Sequence, residues 1–460
     1  MSVLRRVVGL VGVVVVGVAI QAGSAAGGPG DTTWVNTFSN DLYNWATPHE
    51  QTFTFPAERN WRKVLLRYHI GCPPTPDDCD PWDRIGYLRV MREVAGGAPV
   101  ADEQLVIEPV EIARIITPYD ITGPNRPGTC DWFLDVSDYQ SLLHGEVTLN
   151  NYIESWIGGT RGWLVTIDFA FIEGEPELIP YKVTNLWNQY YAVYGDPTRP
   201  IEDVLAPVDV AIDAEAISAK VKVTTTGHGQ GNSQNCAEFC NKQHTVTANA
   251  TNFTHNLWRN NCAQNPCGPQ GGTWTNSRAG WCPGDKVDPW EVDVTGLIVA
   301  GATSTFDYSV QAYTNFCCPC NPGCISGATC ANCNYDSNGH TEPIYAVASQ
   351  LIQYKTNLAS DVATLATPTR AVLEQNVPNP VQGSTEIRYQ IESPGRVRLD
   401  LYDASGRVVR VLAREHQTAG SYTVRWDGRD ASGDRVPAGV YFYSLASGAG
   451  ASTKKMLLLE

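Results

Sequence analysis

Methionine is scarce in this chain, with 3 in 460 residues, and helical periodicity is scarce with it, which excludes a mainly helical protein. Basic charge is also short. Lys and Arg number 33 against 48 Asp and Glu, a formal net charge of −15, which argues against nucleic acid as a partner. Charged residues reach only 18%, whereas aromatics reach 10% and include 13 Trp, so the chain reads as packed and not disordered. After the first two dozen residues no apolar run is long enough to span a bilayer.

What is abundant is turn chemistry and sulfur: 41 Gly, 29 Pro and 14 Cys, the balance of a loop-rich exported β protein. The first 26 residues have the form of a signal peptide: Arg5 and Arg6, an apolar Val7–Ile20, then Ala22-Gly-Ser-Ala-Ala26. The apolar run falls short of the ~20 residues a membrane anchor needs. Beyond it, short alternating runs such as Gln51–Phe55, Val64–Tyr68 and Trp163–Ile172 recur between Gly, Pro and Asp turns, so period two dominates and the fold class is all-β. Val136–Leu143 fits one short helical turn, and Ile201–Ile217 is ambiguous. Length suggests about three folding units at roughly 150 residues each. Composition changes near Glu173–Tyr181 and again over 358–371, which reads as a linker, predicting units at 31–178, 179–357 and 372–460. Residues 373–460 hold 11 basic and 10 acidic residues. With the two leader arginines, this leaves −18 on residues 27–372, so the acidity belongs to the central body.

The cysteines cluster: Cys72 and Cys79; Cys130; Cys236 and Cys240; Cys262, Cys267 and Cys282; and six from Cys317 to Cys333. Behind a signal peptide an even count reads as a disulfide set. Cys330-Ala-Asn-Cys333 has zinc-ligand spacing, but no second Cys-x-x-Cys partners it and no βαβ context supports a redox motif.

Two acids sit where cross-links would hold them: Asp83, in Cys79-Asp-Pro-Trp-Asp-Arg84, and Glu238, in Cys236-Ala-Glu-Phe-Cys240. A third, Glu154, lies in Tyr152-Ile-Glu-Ser-Trp156, where strand alternation puts Glu154 and Trp156 on one face. Paired carboxylates in differing environments activate water or protonate leaving groups, and neighbouring Trp and Phe rings offer faces for a sugar. Spacing alone favours a plainer reading, in which Asp83 and Arg84 form an ion-paired surface turn and Glu154 simply points outward.

These residues, with Thr52-Phe-Thr-Phe-Pro-Ala57, Ile116-Thr-Pro-Tyr119, Asp135–Leu143, Gly227-His228 and Arg278-Ala-Gly-Trp-Cys-Pro-Gly284, recur in one order over roughly Thr37–Tyr354 and resemble the peptide N-glycosidase F amidases. The resemblance implies two adjacent eight-stranded antiparallel jelly rolls with a cleft between them. It implies hydrolysis of the glycosylated asparagine amide, with Asp83 as the main catalytic residue and Glu238 and Glu154 as the other acids. Arg84, Trp156, Arg278, Phe239, His228 and Trp82 become substrate-binding positions. The resemblance further implies pairing of Cys72 with Cys79, Cys236 with Cys240 and Cys262 with Cys282, and calls for no metal or cofactor. Three departures stand out: Phe239 and Thr226 replace family tryptophans, and Phe316–Asn334 is an insertion with six cysteines.

Val372–Glu460 resembles the β-sandwich sorting domains of secreted bacterial proteins, through Gln375-Asn-Val-Pro-Asn-Pro380, Trp426-Asp-Gly428 and Gly439-Val-Tyr-Phe-Tyr443. That resemblance implies an Ig-like tail, a type IX-like secretion machinery as partner, and a monomer that is secreted or associated with the outer membrane. Asp427, Asp430 and Asp434 read as a hairpin turn in preference to a calcium loop. The rival functions are a glycan-binding jelly roll without catalysis and a copper monooxygenase of the same architecture. The 8 His, none adjacent, and a single Met in the body fit the latter poorly.

Overall fold

The computed structural model describes residues 31–45, 49–74, 78–95, 105–123, 125–318, 341–357, 372–391, 395–403, 407–447 and 450–459. The expected leader, the expected linker at 358–371, and Cys320, Cys324, Cys330 and Cys333 lie outside them. The chain forms two compact units, Met1–Thr356 and Asn357–Glu460.

The first unit begins with β1 (Thr32–Asn36), β2 (Asp41–Tyr43), β3 (Glu50–Phe55), β4 (Lys63–Gly71), β5 (Ile85–Ala95), β6 (Leu105–Ile116), β7 (Thr129–Asp135), β8 (Gly145–Ile153) and β9 (Trp163–Ile172). Period two builds them. In β4, Val64, Leu66, Tyr68 and Ile70 are buried while Lys63, Arg67 and His69 face out. One sheet runs β1-β9-β4-β7 and the other β6-β5-β8-β3, all antiparallel. β1 and β2 pair successive stretches of β9, so together they act as one interrupted edge and the sandwich has eight strands. Trp132, Trp163, Phe169 and Leu66 fill its interior.

The second roll follows with β10 (Leu178–Val193), β11 (Val208–Ala211), β12 (Ser218–His228), β13 (Gln243–Ala248), β14 (Thr251–Asn256), β15 (Asp285–Lys286), β16 (Trp290–Asp293), β17 (Thr303–Val310) and β18 (Ile344–Thr356). Its sheets are β10-β18-β12-β16 and β11-β17-β13-β14, around Val221, Val246, Phe306 and Leu351. Ser137–Leu142 is a short 3-10 helix, and the ambiguous Ile201–Ile217 resolves into a one-turn helix, Ile201–Val204, and β11.

β18 is buried on both faces from Tyr345 to Tyr354 because one face lines its own core and the other packs on the first roll. A polar latch crosses that contact. Buried Arg114 donates to both Glu111 oxygens at 2.8 and 2.9 Å, to Thr226 Oγ1 at 3.1 Å and to the Ala346 carbonyl at 2.7 Å. The long loop after β14 reaches back as well: its β15 pairs β6, and Cys267 bonds to Cys130 of β7 across 137 residues of sequence. Cys262–Cys282 closes that loop on itself. Cys130 and Cys267 lie outside the three pairs that the resemblance implies, and the fold brings them together. Because this bridge closes the longest loop among the four described disulfides, replacing both cysteines with serine is expected to destabilise the first unit by about 2–5 kcal/mol, read from denaturant midpoints. Removing Cys72–Cys79, which closes a far shorter loop, is expected to cost less.

The second unit is an Ig-like sandwich of eight strands, from Val372–Leu373 to Gly450–Leu458, packed around Trp426, Tyr443, Leu399 and Met456. Asp430 Oδ1 accepts from the Ser432 and Asp434 N–H groups inside a turn bridged by Arg429 and Arg435, the hairpin expected of this acidic stretch.

Candidate active site

The loop between β4 and β5 carries Asp83 and is closed at its start by Cys72–Cys79. Its keystone is Asp80, which is fully buried. One carboxylate oxygen accepts from the Trp82 N–H at 3.1 Å; the other accepts from Arg84 Nε at 2.9 Å and from Ser155 Oγ at 2.8 Å. Thr117 Oγ1 accepts from the Arg84 N–H at 2.7 Å and donates to the Trp82 carbonyl at 2.9 Å. The residues on either side of Asp83 are therefore pinned from two directions. Arg84 pairs with Asp80 and not with Asp83, so the expected Asp83–Arg84 surface pair is corrected: a carboxylate already held by Ser155 and the Trp82 N–H captures the guanidinium. Asp80 belongs to a motif legible in sequence, but its importance depends on Ser155, 75 positions away.

Opposite, Glu238 sits in the tight loop closed by Cys236–Cys240. Its N–H donates to the Gly229 carbonyl and its carbonyl accepts from Ala279 N–H at 2.8 Å, which ties the loop to the segment carrying Arg278. Arg278 is buried between the two acids, with Nε 3.2 Å from Glu238 Oε1 and Nη2 3.8 Å from Asp83 Oδ2. Further donation to the Thr273 and Asn276 carbonyls, and ring contacts with Phe239 and Trp281 at 5.1 and 4.9 Å, lock the guanidinium plane. The fold thus brings Asp83 of the first roll and Glu238 and Arg278 of the second to one point.

Burial decides the charge state here. It pushes Asp83 up to about 6, against the pull of Arg278 and Arg84, and Glu238 up to about 7, with the nearby Asp83 charge adding to the rise. Both side chains keep part of their surface open, 19% and 15%. Two carboxyl groups titrating near neutrality on either side of a fixed cation can supply a proton acceptor and a proton donor at the same pH.

Glu154 lies one residue beyond the end of β8, not within it, although its N–H still donates to the Ile85 carbonyl at 2.8 Å. Ser155 turns inward to Asp80, leaving Glu154 and exposed Trp156 toward the opening. Burial raises the Glu154 pKa and Arg84 opposes the rise. Arg84, 5.0 Å from the Trp156 ring, links the Glu154 side of the site to Asp83. Trp82 is half exposed and meets Tyr119 edge-on at 5.5 Å; the Tyr119 phenol is raised by burial and by the Asp83 charge, which puts it beside the acid. His228 stacks on Trp281 and shares a 2.9 Å hydrogen bond with Thr226 Oγ1; burial and two arginines push it down to about 3, so it is neutral. Thr226 therefore joins His228 to the Arg114 latch instead of offering a ring.

Trp45 was not anticipated. It is 74% exposed, its N–H donates to the Ile157 carbonyl at 3.1 Å, and its indole lies against Gly158, where a Cβ would stand 3.1 Å from Nε1. It adds a second exposed ring beside the segment that carries Trp156. As for metals, Cys72, Asp78 and Cys79 are the group of potential ligands found together among the described residues, and both sulfurs are committed to a disulfide.

Comparison with known proteins places this geometry in context. Residues 197–327 match the family model described as Peptide-N-glycosidase F, C terminal, and residues 378–450 match the FlgD Ig-like domain. The peptide-N(4)-(N-acetyl-beta-D-glucosaminyl)asparagine amidase F of Elizabethkingia miricola is 31% identical over 290 residues, spanning 61% of this chain and 76% of that relative. The solved structure of PNGase F, a glycosylasparaginase from Flavobacterium meningosepticum, is similar with a TM-score of 0.55 and 26% identity, covering 71% of this chain and 96% of that one. PNGF-II, at 13% identity and a TM-score of 0.50 over 71% of this chain and 65% of that one, shares the fold.

Proposed function

The chain belongs to the peptide N-glycosidase F family, and on that premise we propose that the site around Asp83 hydrolyses the side-chain amide joining asparagine to an N-linked glycan. The observation that supports this reading best is the Asp83–Arg278–Glu238 arrangement: two near-neutral carboxylates reachable from solvent and held apart by one buried guanidinium. Asp83, ionised, takes a proton from a water that attacks the amide carbonyl carbon. The C–N bond breaks as Asp83 returns that proton to the nitrogen, so the peptide keeps an aspartate and the nitrogen leaves as a glycosylamine, which a second water hydrolyses to ammonia and sugar. Glu238 and Arg278 orient the water and the proximal sugar, while Glu154 and Arg84 hold the sugar from the other side. Trp156, Trp82 and Phe239 offer it faces, and neutral His228 supports Arg278's neighbour Trp281.

The test is mass spectrometry of a defined glycopeptide. Conversion of asparagine to aspartate together with glycan release supports the amidase. Release that leaves a sugar on asparagine would instead identify an endoglycosidase, and binding without release a lectin. Within this reading, Trp156→Ala is expected to raise KM roughly tenfold, the scale of one aromatic contact, with kcat little changed. Trp45→Ala is expected to do so only for glycans long enough to reach past Trp156. A KM change that ignores glycan length would show that Trp45 is not a sugar contact. We also assign the Ig-like tail to export, as the handle for a secretion machinery that delivers a monomeric enzyme outside the cell. A chain ending before the linker that keeps full activity but is no longer exported supports this.

A further inference from the structure

We propose that the second jelly roll holds a second binding site, for one neutral pyranose ring, in a cavity of about 260 Å³ at its open end, apart from the site around Asp83. The proposal does not depend on the amidase reading.

The separation follows from strand alternation in β12. Thr226 turns toward the first roll, where it meets Arg114 and His228, so its neighbour Thr225 turns the other way, into the cavity. The wall shared with the active site is thin: Arg259, in the cavity lining, pairs its backbone with that of Arg278, and Gly280 lines the cavity two residues after Arg278.

The lining names the ligand class. Trp258 and Trp290 supply indoles, and Trp290 is backed on one side by His255 at 5.2 Å, so its ring is held flat. Flat, fixed aromatic faces suit the C–H face of a sugar. The charged groups are already matched among themselves, Arg259 with Asp285 at 2.7 Å and Asp288 with Lys286 at 2.6 Å, so no spare charge awaits an ion or a zwitterion. The remaining polar groups are neutral and directional. Thr225 Oγ1, Tyr308 Oη and His244 Nδ1 form a chain of hydrogen bonds at 3.0 and 2.7 Å, and burial keeps His244 uncharged. This chain of hydrogen bonds is almost wholly buried, with Thr225, Tyr308 and His244 at 5%, 2% and 1% exposure, so it stiffens the cavity floor, and Asn261, exposed in the lining, is the neutral hydrogen-bonding side chain a sugar hydroxyl can reach. The volume is below the roughly 300–1,000 Å³ of drug-sized sites, which limits the occupant to about one ring.

Calorimetry and ligand-observed NMR on the full chain, with N-acetylglucosamine, mannose, galactose and glucose as probes and phenylalanine as the zwitterionic control, test the site. The expected result is saturable millimolar binding of at least one sugar that persists in Trp156→Ala, weakens about tenfold or more in both Trp258→Ala and Trp290→Ala, and is not reproduced by phenylalanine. Trp258→Ala guards against a packing defect at Trp290, and unchanged thermal melting qualifies each variant. Three results would overturn the proposal: no sugar binds, binding is lost in Trp156→Ala but not in the two cavity variants, or phenylalanine binds as well as the sugars. Because the readout is binding, an inactive enzyme leaves the outcome interpretable.

Discussion

Asp83→Asn is expected to lower kcat by about 10²–10⁴-fold while KM moves little, because the variant keeps the shape of the side chain and loses only its capacity to accept a proton. Asp83 titrates at about 6, high enough to be a useful base and low enough to be ionised at neutral pH. Activity of the unmodified enzyme is therefore expected to rise as pH climbs through about 6, and that limb should vanish from the residual activity of the variant. Stability is expected to move the other way. A carboxyl whose folded pKa is raised contributes stability that is complete below its unfolded pKa, near 4, and is lost as pH rises through about 6. Asp83→Asn should thus melt with the parent near pH 4 and above it at pH 8. A variant that stays fully active would move the role of base to Glu238. One that melts lower at pH 8 would mean that Asp83 is not held in the desolvated state described.

Replacing Arg278 is expected to do the greatest combined damage. The guanidinium is the cation common to Asp83 and Glu238, and it is nearly inaccessible to water, at 2% exposure. In Arg278→Met both acids lose the charge that opposes their desolvation. Their pKa values should rise further, and the acid limb of kcat/KM should move up by about 1–3 pH units. Breaking a buried ion pair from one side typically costs about 3–5 kcal/mol, so the melting temperature should fall, and fall most at high pH, where both carboxylates are forced to ionise. Arg278→Lys keeps the charge but not the planar stack on Phe239 and Trp281 or the fork to Thr273 and Asn276. It should restore the pH limb more than the stability. Parallel pH–rate profiles and melting curves for the two variants separate the electrostatic role from the packing role. An acid limb that stays in place in Arg278→Met would remove Arg278 from the electrostatics of the site.

The strands of both rolls were legible because period two is written directly into runs such as Lys63–Ile70 of β4 and the whole of β17, where each buried residue follows an exposed or half-exposed one. β18 was harder to read, since burial on both faces erases the alternation. The acids were legible as motifs, through their place beside or between close cysteines, but not as a constellation. Asp83 and Arg278 are 195 positions apart, and their encounter depends on the Arg114 latch, the β15–β6 pairing and the Cys130–Cys267 bridge. None of these has a local signature. Arg84 illustrates the limit well: next to Asp83 in sequence, it turns to Asp80 because Ser155 and the Trp82 N–H have already oriented that carboxylate.

By itself, then, the sequence determined what acts locally: strand periodicity, the short-range cysteine loops, the sign and location of the net charge, and the family motifs. Tertiary structure alone decided which acid meets which base, how far burial lifts Asp83 and Glu238, that Thr226 serves a latch, that Trp45 stands beside the segment of Trp156, and that the Trp258–Trp290 cavity exists. The physical reason is that desolvation and ion pairing depend on everything within a few ångströms, and in an antiparallel sandwich most of those neighbours come from distant parts of the chain.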